Sequence, residues 1–179
     1  MKKTDAIKAN SITIEPLSKQ TRKQAIQLVD RVFPRQGMEP AWVGFRASLG
    51  EKPYAWITRL VGVDFLKYWV ATYKEKVVGI TGIYAYKKDN NSIWGGWTCI
   101  DPEYSLGISR AGGLLFHKAY DEAKKSGRKF LKLYTCDDPA LAAANKIYDK
   151  VGFEEIATEP IKGTKFTKRI LRLSLQDSD

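Results

Sequence analysis

The chain has no apolar run near the roughly 18 residues needed to cross a bilayer. Its basic opening, MKKTDAIKAN, is followed by no apolar segment, so no secretory leader is expected. Cysteine and histidine are scarce: Cys99, Cys136 and His117 are the whole supply. That rules out a disulfide framework and is too little for a structural zinc site, so no metal is expected. A reducing, cytoplasmic compartment fits best. There is no internal repeat and no low-complexity segment. Acidic residues are outnumbered, 20 against 30 Lys and Arg, for a net charge of +10. Such a charge attracts polyanions at long range and says nothing about fold. The basic residues are scattered, so a charge spread for solubility weighs as much as nucleic acid, an anionic membrane surface and a phosphorylated small molecule together. What is present is a 179-residue chain, 44% hydrophobic and 28% charged, the balance of one soluble globular domain.

Residues 1–10 read as a mobile arm and 11–179 as a single domain. Ser11–Pro16 alternates apolar and polar residues, as a strand does. Gln20–Val32 carries Ala25, Ile26, Leu28, Val29 and Val32 at helical spacing, and Pro34 ends it. Glu39–Leu49 and Tyr54–Val63 are expected to be two further helices. Tyr68–Tyr73 and Val77–Tyr86 are β-rich runs joined by Lys74, Glu75 and Lys76, a hairpin. Ser92–Ile100 continues the meander until Asp101-Pro102 stops it. A helix from about Ile108 to Ser126 ends at Gly127. The strand Phe130–Tyr134 follows, then a helix opened by Asp138-Pro139 and closed by Gly152. That last helix is expected to bury Leu141, Ala144, Ile147, Tyr148 and Val151. Phe153–Thr158 and Phe166–Leu175 close the chain as strands. The order is an α+β, mixed-sheet architecture.

Two places suit chemistry. The first is DPEYSLGISRAGG, Asp101–Gly113, a strand end, a glycine-bearing turn and a helix start. Gly107, Gly112 and Gly113 permit close backbone approach, and free first-turn amides, the helix dipole and Arg110 suit a phosphate or pyrophosphate. Glycine kept for helix packing is the other reading. The run is neither a Walker A loop nor G-x-G-x-x-G. The second is Tyr148, whose phenol would serve as a proton donor to a departing thiolate if it faced the same cleft. Spacing alone favours a packing role, because Tyr148 lies on the expected buried stripe.

The runs IDPEY…GISRAGGLL, AYDEAKKSG, LKLYT and AAANKIYDKVGFEE resemble the GCN5-related N-acetyltransferases, the GNAT superfamily. The likeness covers residues 68–158, and IYDKVGF is its most specific piece. It implies a central, mostly antiparallel sheet with a splayed parallel pair, flanked by helices. It also implies acetyl-CoA as co-substrate. Its pyrophosphate would lie on the amides of Gly107, Ile108, Ser109, Arg110, Ala111 and Gly112. Its pantetheine arm would lie along Thr98, Cys99 and Ile100, where a backbone amide would hold the oxyanion. Tyr148 matches the tyrosine that protonates the leaving thiolate. Leu141 stands where the family often has an asparagine seven residues before that tyrosine, with Asn145 one turn later. Tyr104 stands at a family glutamine or arginine position.

A primary ammonium must lose a proton before it attacks, so a carboxylate or a water chain is expected. Asp101, Glu103, Glu39 and Asp30 are candidates. Asp101 is the best placed, at the strand end, and capping the turn before Pro102 explains it equally well. Trp94 and Trp97 flank Gly-Gly and are expected on opposite faces of the strand, one of them lining an acceptor pocket. The leading reading is an acetyl-CoA-dependent N-acetyltransferase acting on a small-molecule amine or a peptide amine, with no membrane partner. A homodimer is left open. A non-catalytic acyl-CoA-binding module comes second. A nucleic-acid-binding domain comes last, because no basic stripe is visible.

Overall fold

Among the described residues, period-two stretches separated by turn residues lay down eight strands: β1 (Thr13–Pro16), β2 (Val63–Tyr73), β3 (Lys76–Tyr86), β4 (Ser92–Gly95), β5 (Cys99–Ile100), β6 (Phe130–Cys136), β7 (Glu154–Pro160) and β8 (Thr167–Ser174). They form one sheet in the order β1-β2-β3-β4-β6-β8-β7, with β5 on β3. Every ladder is antiparallel except β4–β6. The helices are α1 (Lys19–Val32), α2 (Ala41–Ser48), α3 (Tyr54–Leu60), α4 (Pro102–Ser105), α5 (Ser109–Lys125) and α6 (Ala142–Val151). This computed structural model describes residues 12–33, 40–105 and 109–176, with only the backbone of Ser105, Ser109 and Arg110. The expected arm over residues 1–10 lies outside that set.

Both faces of the sheet are covered. On one, α1 and α2 bury Ala25, Leu28 and Phe45 against Tyr68, Ile80 and Cys99. On the other, α5 sets Ala119 and Ala123 on Trp69, Ile83, Ile93 and Leu131, and Ala111 and Leu115 on Ala71 and Val78. The start of α1 is held by a capping box. The Thr21 N–H donates to Ser18 Oγ (3.2 Å) and the Ser18 N–H to Thr21 Oγ1 (3.0 Å). Gly152, at φ 95°, closes α6 in the left-handed region that favours glycine. No helix among the described residues is long and apolar enough to cross a membrane.

Four sequence expectations need correction. The run Ser92–Ile100 is not one strand; it breaks at Gly96–Thr98 between β4 and β5. Helix α3 ends at Leu60, because Gly62 takes φ 90°, and Val63 already belongs to β2. The helix after Asp138 begins as a 3₁₀ turn over Pro139–Leu141. Finally, α6 has no fully buried residue, and Ile147 is 55% exposed and Val151 38%. Helical spacing marks an apolar stripe but not what covers it; on α6, Tyr148 packs against the buried cluster while Ile147 and Val151 stay exposed.

The β2–β3 hairpin closes through two residues, Lys74 (φ 47°) and Glu75 (φ 62°), with Tyr73 paired to Lys76. Both sit in the left-handed region, where a side chain costs about 1–2 kcal/mol each. Asn-Gly is the pair such a turn prefers. The double replacement Lys74→Asn, Glu75→Gly is expected to raise stability by about 1 kcal/mol, net of the backbone entropy glycine adds to the unfolded chain. A calorimetric melt that shows no gain would place the strain elsewhere.

Candidate active site

The parallel ladder is short. Ser92, Ile93 and Trp94 pair with Phe130, Leu131 and Lys132. Beyond that point the partners part. The chain leaves β4 at Gly95 and returns as β5 on Ile80 and Gly79 of β3. Strand β6 instead continues along β8 to Cys136. The two central strands therefore open into a V. The Asp101 N–H donates to Val78 O at 2.9 Å. Alternation along the strand turns the N–H of Ile100 the other way, into the gap, where β5 has no paired strand among the described residues. An extended, amide-bearing ligand has a main-chain partner there.

What holds the strand break is a ring. Tyr68 is buried on β2, packed edge-on to Phe45 with ring centroids 4.7 Å apart. A Cβ on Gly96 would come 2.9 Å from Tyr68 Cε1, and a Cβ on Gly82 2.1 Å from its Cδ1. The Gly96 N–H donates to Gly82 O at 2.7 Å, which keeps the broken segment on β3. The glycines flanking this ring thus set where β4 stops.

Thr98 is exposed, and its hydroxyl shares a 2.9 Å hydrogen bond with that of buried Thr81 and donates to Gly96 O at 3.2 Å. Cys99 turns into the α1 core. Burial, and then the Asp101 carboxylate, pushes its thiol up to about 12, so it stays protonated and is no nucleophile. Ile100 turns to the opposite face, and a Cβ on Gly112 would come 3.0 Å from Ile100 Cδ1. Packing of α5 on β5 therefore accounts for glycine at that position. Gly107 and Ile108 lie outside the described residues. The backbone of Ser109, Arg110 and Ala111 forms the first turn of α5, with Ala111 fully buried.

Asp101 has no exposure at all. Its Oδ2 accepts from Arg31 Nη2 at 2.6 Å and lies 3.6 Å from Lys76 Nζ. Its Oδ1 accepts the Glu103 N–H at 3.1 Å, capping α4. The carboxylate ties α1, β3 and the turn before α5 together. Arg31 is 70 residues away in sequence, so no local pattern announces the pair.

Tyr148 packs edge-on against Phe153 at 5.6 Å, on the α5 side of the sheet. Burial raises its phenol above the usual range. Its hydroxyl has no hydrogen-bond partner among the described residues. One turn before it, Asn145 accepts from Thr135 Oγ1 at 2.6 Å and donates to Cys136 O at 2.8 Å. The amide pins α6 to the end of β6, one arm of the V. Sequence reasoning looked for an asparagine at position 141 and so missed this clamp.

On the α1–α2 side, Trp94 faces its cross-strand partner Tyr84 and stacks on Tyr134 at 4.7 Å. Trp97 packs on Phe33 at 5.5 Å, on the same side. The expectation of opposite faces fails because period-two counting holds only within an unbroken strand, and the chain breaks between the two residues.

No protein-family model and no curated protein matches this chain in sequence. Solved structures do match in shape. A ribosomal-protein-S18-alanine N-acetyltransferase from Escherichia coli superposes with TM-score 0.66 at 18% identity, over 94% of this chain and 96% of that one. An acetyltransferase of the GNAT family from Staphylococcus aureus Mu50 gives 0.66 at 18%, over 92% and 99%. An aminoglycoside 6'-N-acetyltransferase complexed with coenzyme A gives 0.70 at 12%, over 93% and 99%. The open sheet with its parallel β4–β6 pair is the sheet those proteins share with this chain.

Proposed function

We propose that this chain, which has the fold of the GNAT-family acetyltransferases, moves an acetyl group from acetyl-CoA to a primary amine by direct attack in a ternary complex. The observation that supports this most is the V between β5 and β6, with the Ile100 N–H turned into it. Acetyl-CoA supplies the activated thioester. The main chain at Thr98–Ile100 would hold its pantetheine arm, with Ile100 offering the outward N–H and Cys99 turned back to β3. The amides from Gly107 to Gly112 would hold its pyrophosphate, those of Ser109 to Gly112 lying at the positive end of α5.

The proton acid is Tyr148. Its phenol is neutral at working pH, its hydroxyl is uncommitted among the described residues, and it approaches from the α5–α6 side. A base role for Asp101 would require its carboxylate to leave Arg31 and the α4 cap and to reach solvent. Its contacts support an anchoring role instead.

Calorimetric titration with CoA and acetyl-CoA, followed by thiol release with a panel of amines, tests the reading. Binding with amine-dependent thiol release is expected. No heat with either carrier would end it. Binding without turnover would favour a non-catalytic acyl-CoA module, the reading that Leu141 at the family's asparagine position supports.

A further inference from the structure

We infer that the acceptor side of the cleft takes an amine carrying an aromatic ring and an oxygen acceptor, not a polycation, and that Tyr84, Tyr86, Trp94 and Tyr134 recognise it. This rests on the acetyltransferase reading above.

The position comes from the strand register. Trp94 is the last β4 residue paired with β6 before the V opens, and its partner there is Lys132. Tyr134 lies just beyond on the diverging arm, and Tyr84 is the partner of Trp94 on β3. These side chains stand on the α1–α2 face, while Tyr148 stands on the other. Amine and leaving thiolate would thus meet at the vertex from opposite sides of the sheet.

The rings form a wall. Trp94 stacks on Tyr134 with 28° between planes and lies 6.4 Å from Tyr84 at 21°. Tyr86 meets Trp94 edge-on at 6.4 Å and Tyr84 at 5.5 Å. Tyr84, Tyr86 and Tyr134 are only partly buried, so the wall is not sealed. A flat ligand would pack against this wall at Tyr84 and Tyr86, the two rings over which no lysine lies among the described residues.

The polar groups select further. Trp94 is 9% exposed, and its indole N–H is buried with no hydrogen-bond partner among the described residues. Buried indole N–H groups ordinarily find an acceptor, so the site asks for an oxygen. Burial raises the phenols of Tyr84 and Tyr134, which therefore stay neutral. The cation-binding ring faces are already taken by the protein. Lys132 Nζ lies 5.3 Å over Trp94 and Lys168 Nζ 4.1 Å over Tyr134. Each has one carboxylate of its own, Asp89 at 3.3 Å and Glu159 at 3.3 Å. A ligand with several ammonium groups would find these ring faces filled and like charges beside them.

The test is calorimetric titration of the full chain with L-tyrosine, L-tryptophan and spermine, each with and without CoA, repeated on Trp94→Phe. That variant keeps a ring and loses the N–H, and its melting temperature reports whether it is folded. The two amino acids are expected to bind and spermine not to. Trp94→Phe is expected to weaken amino-acid binding about tenfold, the size of one hydrogen bond to a charged group. Preferred binding of spermine overturns the inference, as does an affinity unchanged in a folded Trp94→Phe. Should Trp94→Phe fail to fold, Tyr134→Leu replaces it, with the same expected loss and the same overturning result. The titrations without CoA read the ring wall directly, and the CoA titration by itself reads the acetyltransferase proposal, so the two can fail separately.

Discussion

Tyr148→Phe is expected to lower turnover by about 10²-fold, the lower range of a lost general acid, while the affinity for acetyl-CoA stays within about twofold. The substitution isolates the proton. The edge-on contact with Phe153 involves the ring, which phenylalanine keeps. The hydroxyl has no partner among the described residues, so its removal strands no other group. The pH profile adds a second readout. Burial raises the phenol above the usual value of 10.0, so Tyr148 remains protonated through neutral and mildly alkaline pH. Any alkaline loss of turnover with a midpoint well below 10 therefore belongs to another group. It should persist, at reduced height, in Tyr148→Phe. Unchanged turnover in the variant would remove Tyr148 from the acid role.

The second large effect concerns the ring that shapes the V. Gly82→Ala is expected to destabilise the protein by about 3 kcal/mol, the upper part of the usual range for overpacking. For a chain of this size that is a fall in melting temperature of roughly 10 °C. The added methyl would lie 2.1 and 2.4 Å from Tyr68 Cδ1 and Cε1 and 2.9 Å from the Lys67 carbonyl oxygen. The ring has nowhere to retreat. Phe45 meets it edge-on, and it already fills the space over Gly96 and Gly44. Because Tyr68 and Gly82 share one space, Tyr68→Ala and Gly82→Ala should not add. The double variant should be more stable than the sum predicts. If the methyl is tolerated without a change in melting temperature, Tyr68 is not pinned, and the strand break at Gly96–Thr98 needs another cause.

Some of this protein was legible from residue order alone, because the signals are local. The apolar spacing of Ala25, Leu28, Val29 and Val32 marked α1, and α1 spans Lys19–Val32. The alternation of VVGITGIYAY marked β3, and Gly127 and Gly152 marked two helix ends. With IYDKVGF these pieces also carried the resemblance to an acetyltransferase fold that the comparison of shapes supports. The stripe on α6 was read as core because spacing reports which residues share a face. It does not report whether a neighbour covers that face, and Ile147 and Val151 stand in solvent.

What the order of residues settled was the succession of the longer helices and strands, though not the break between β4 and β5 or the short α4, since each long element rests on backbone preferences and periodicities within about a dozen neighbours. The tertiary structure decided the rest. The V exists because β4 and β6 pair over three residues and then choose different partners. Asp101 is an anchor because Arg31 arrives from another helix. Asn145 is a clamp because the end of β6 lies beneath it. Trp94 and Trp97 share a face because a buried tyrosine interrupts the strand between them. Each depends on groups far apart in the chain meeting at contact distance, and no local rule encodes that.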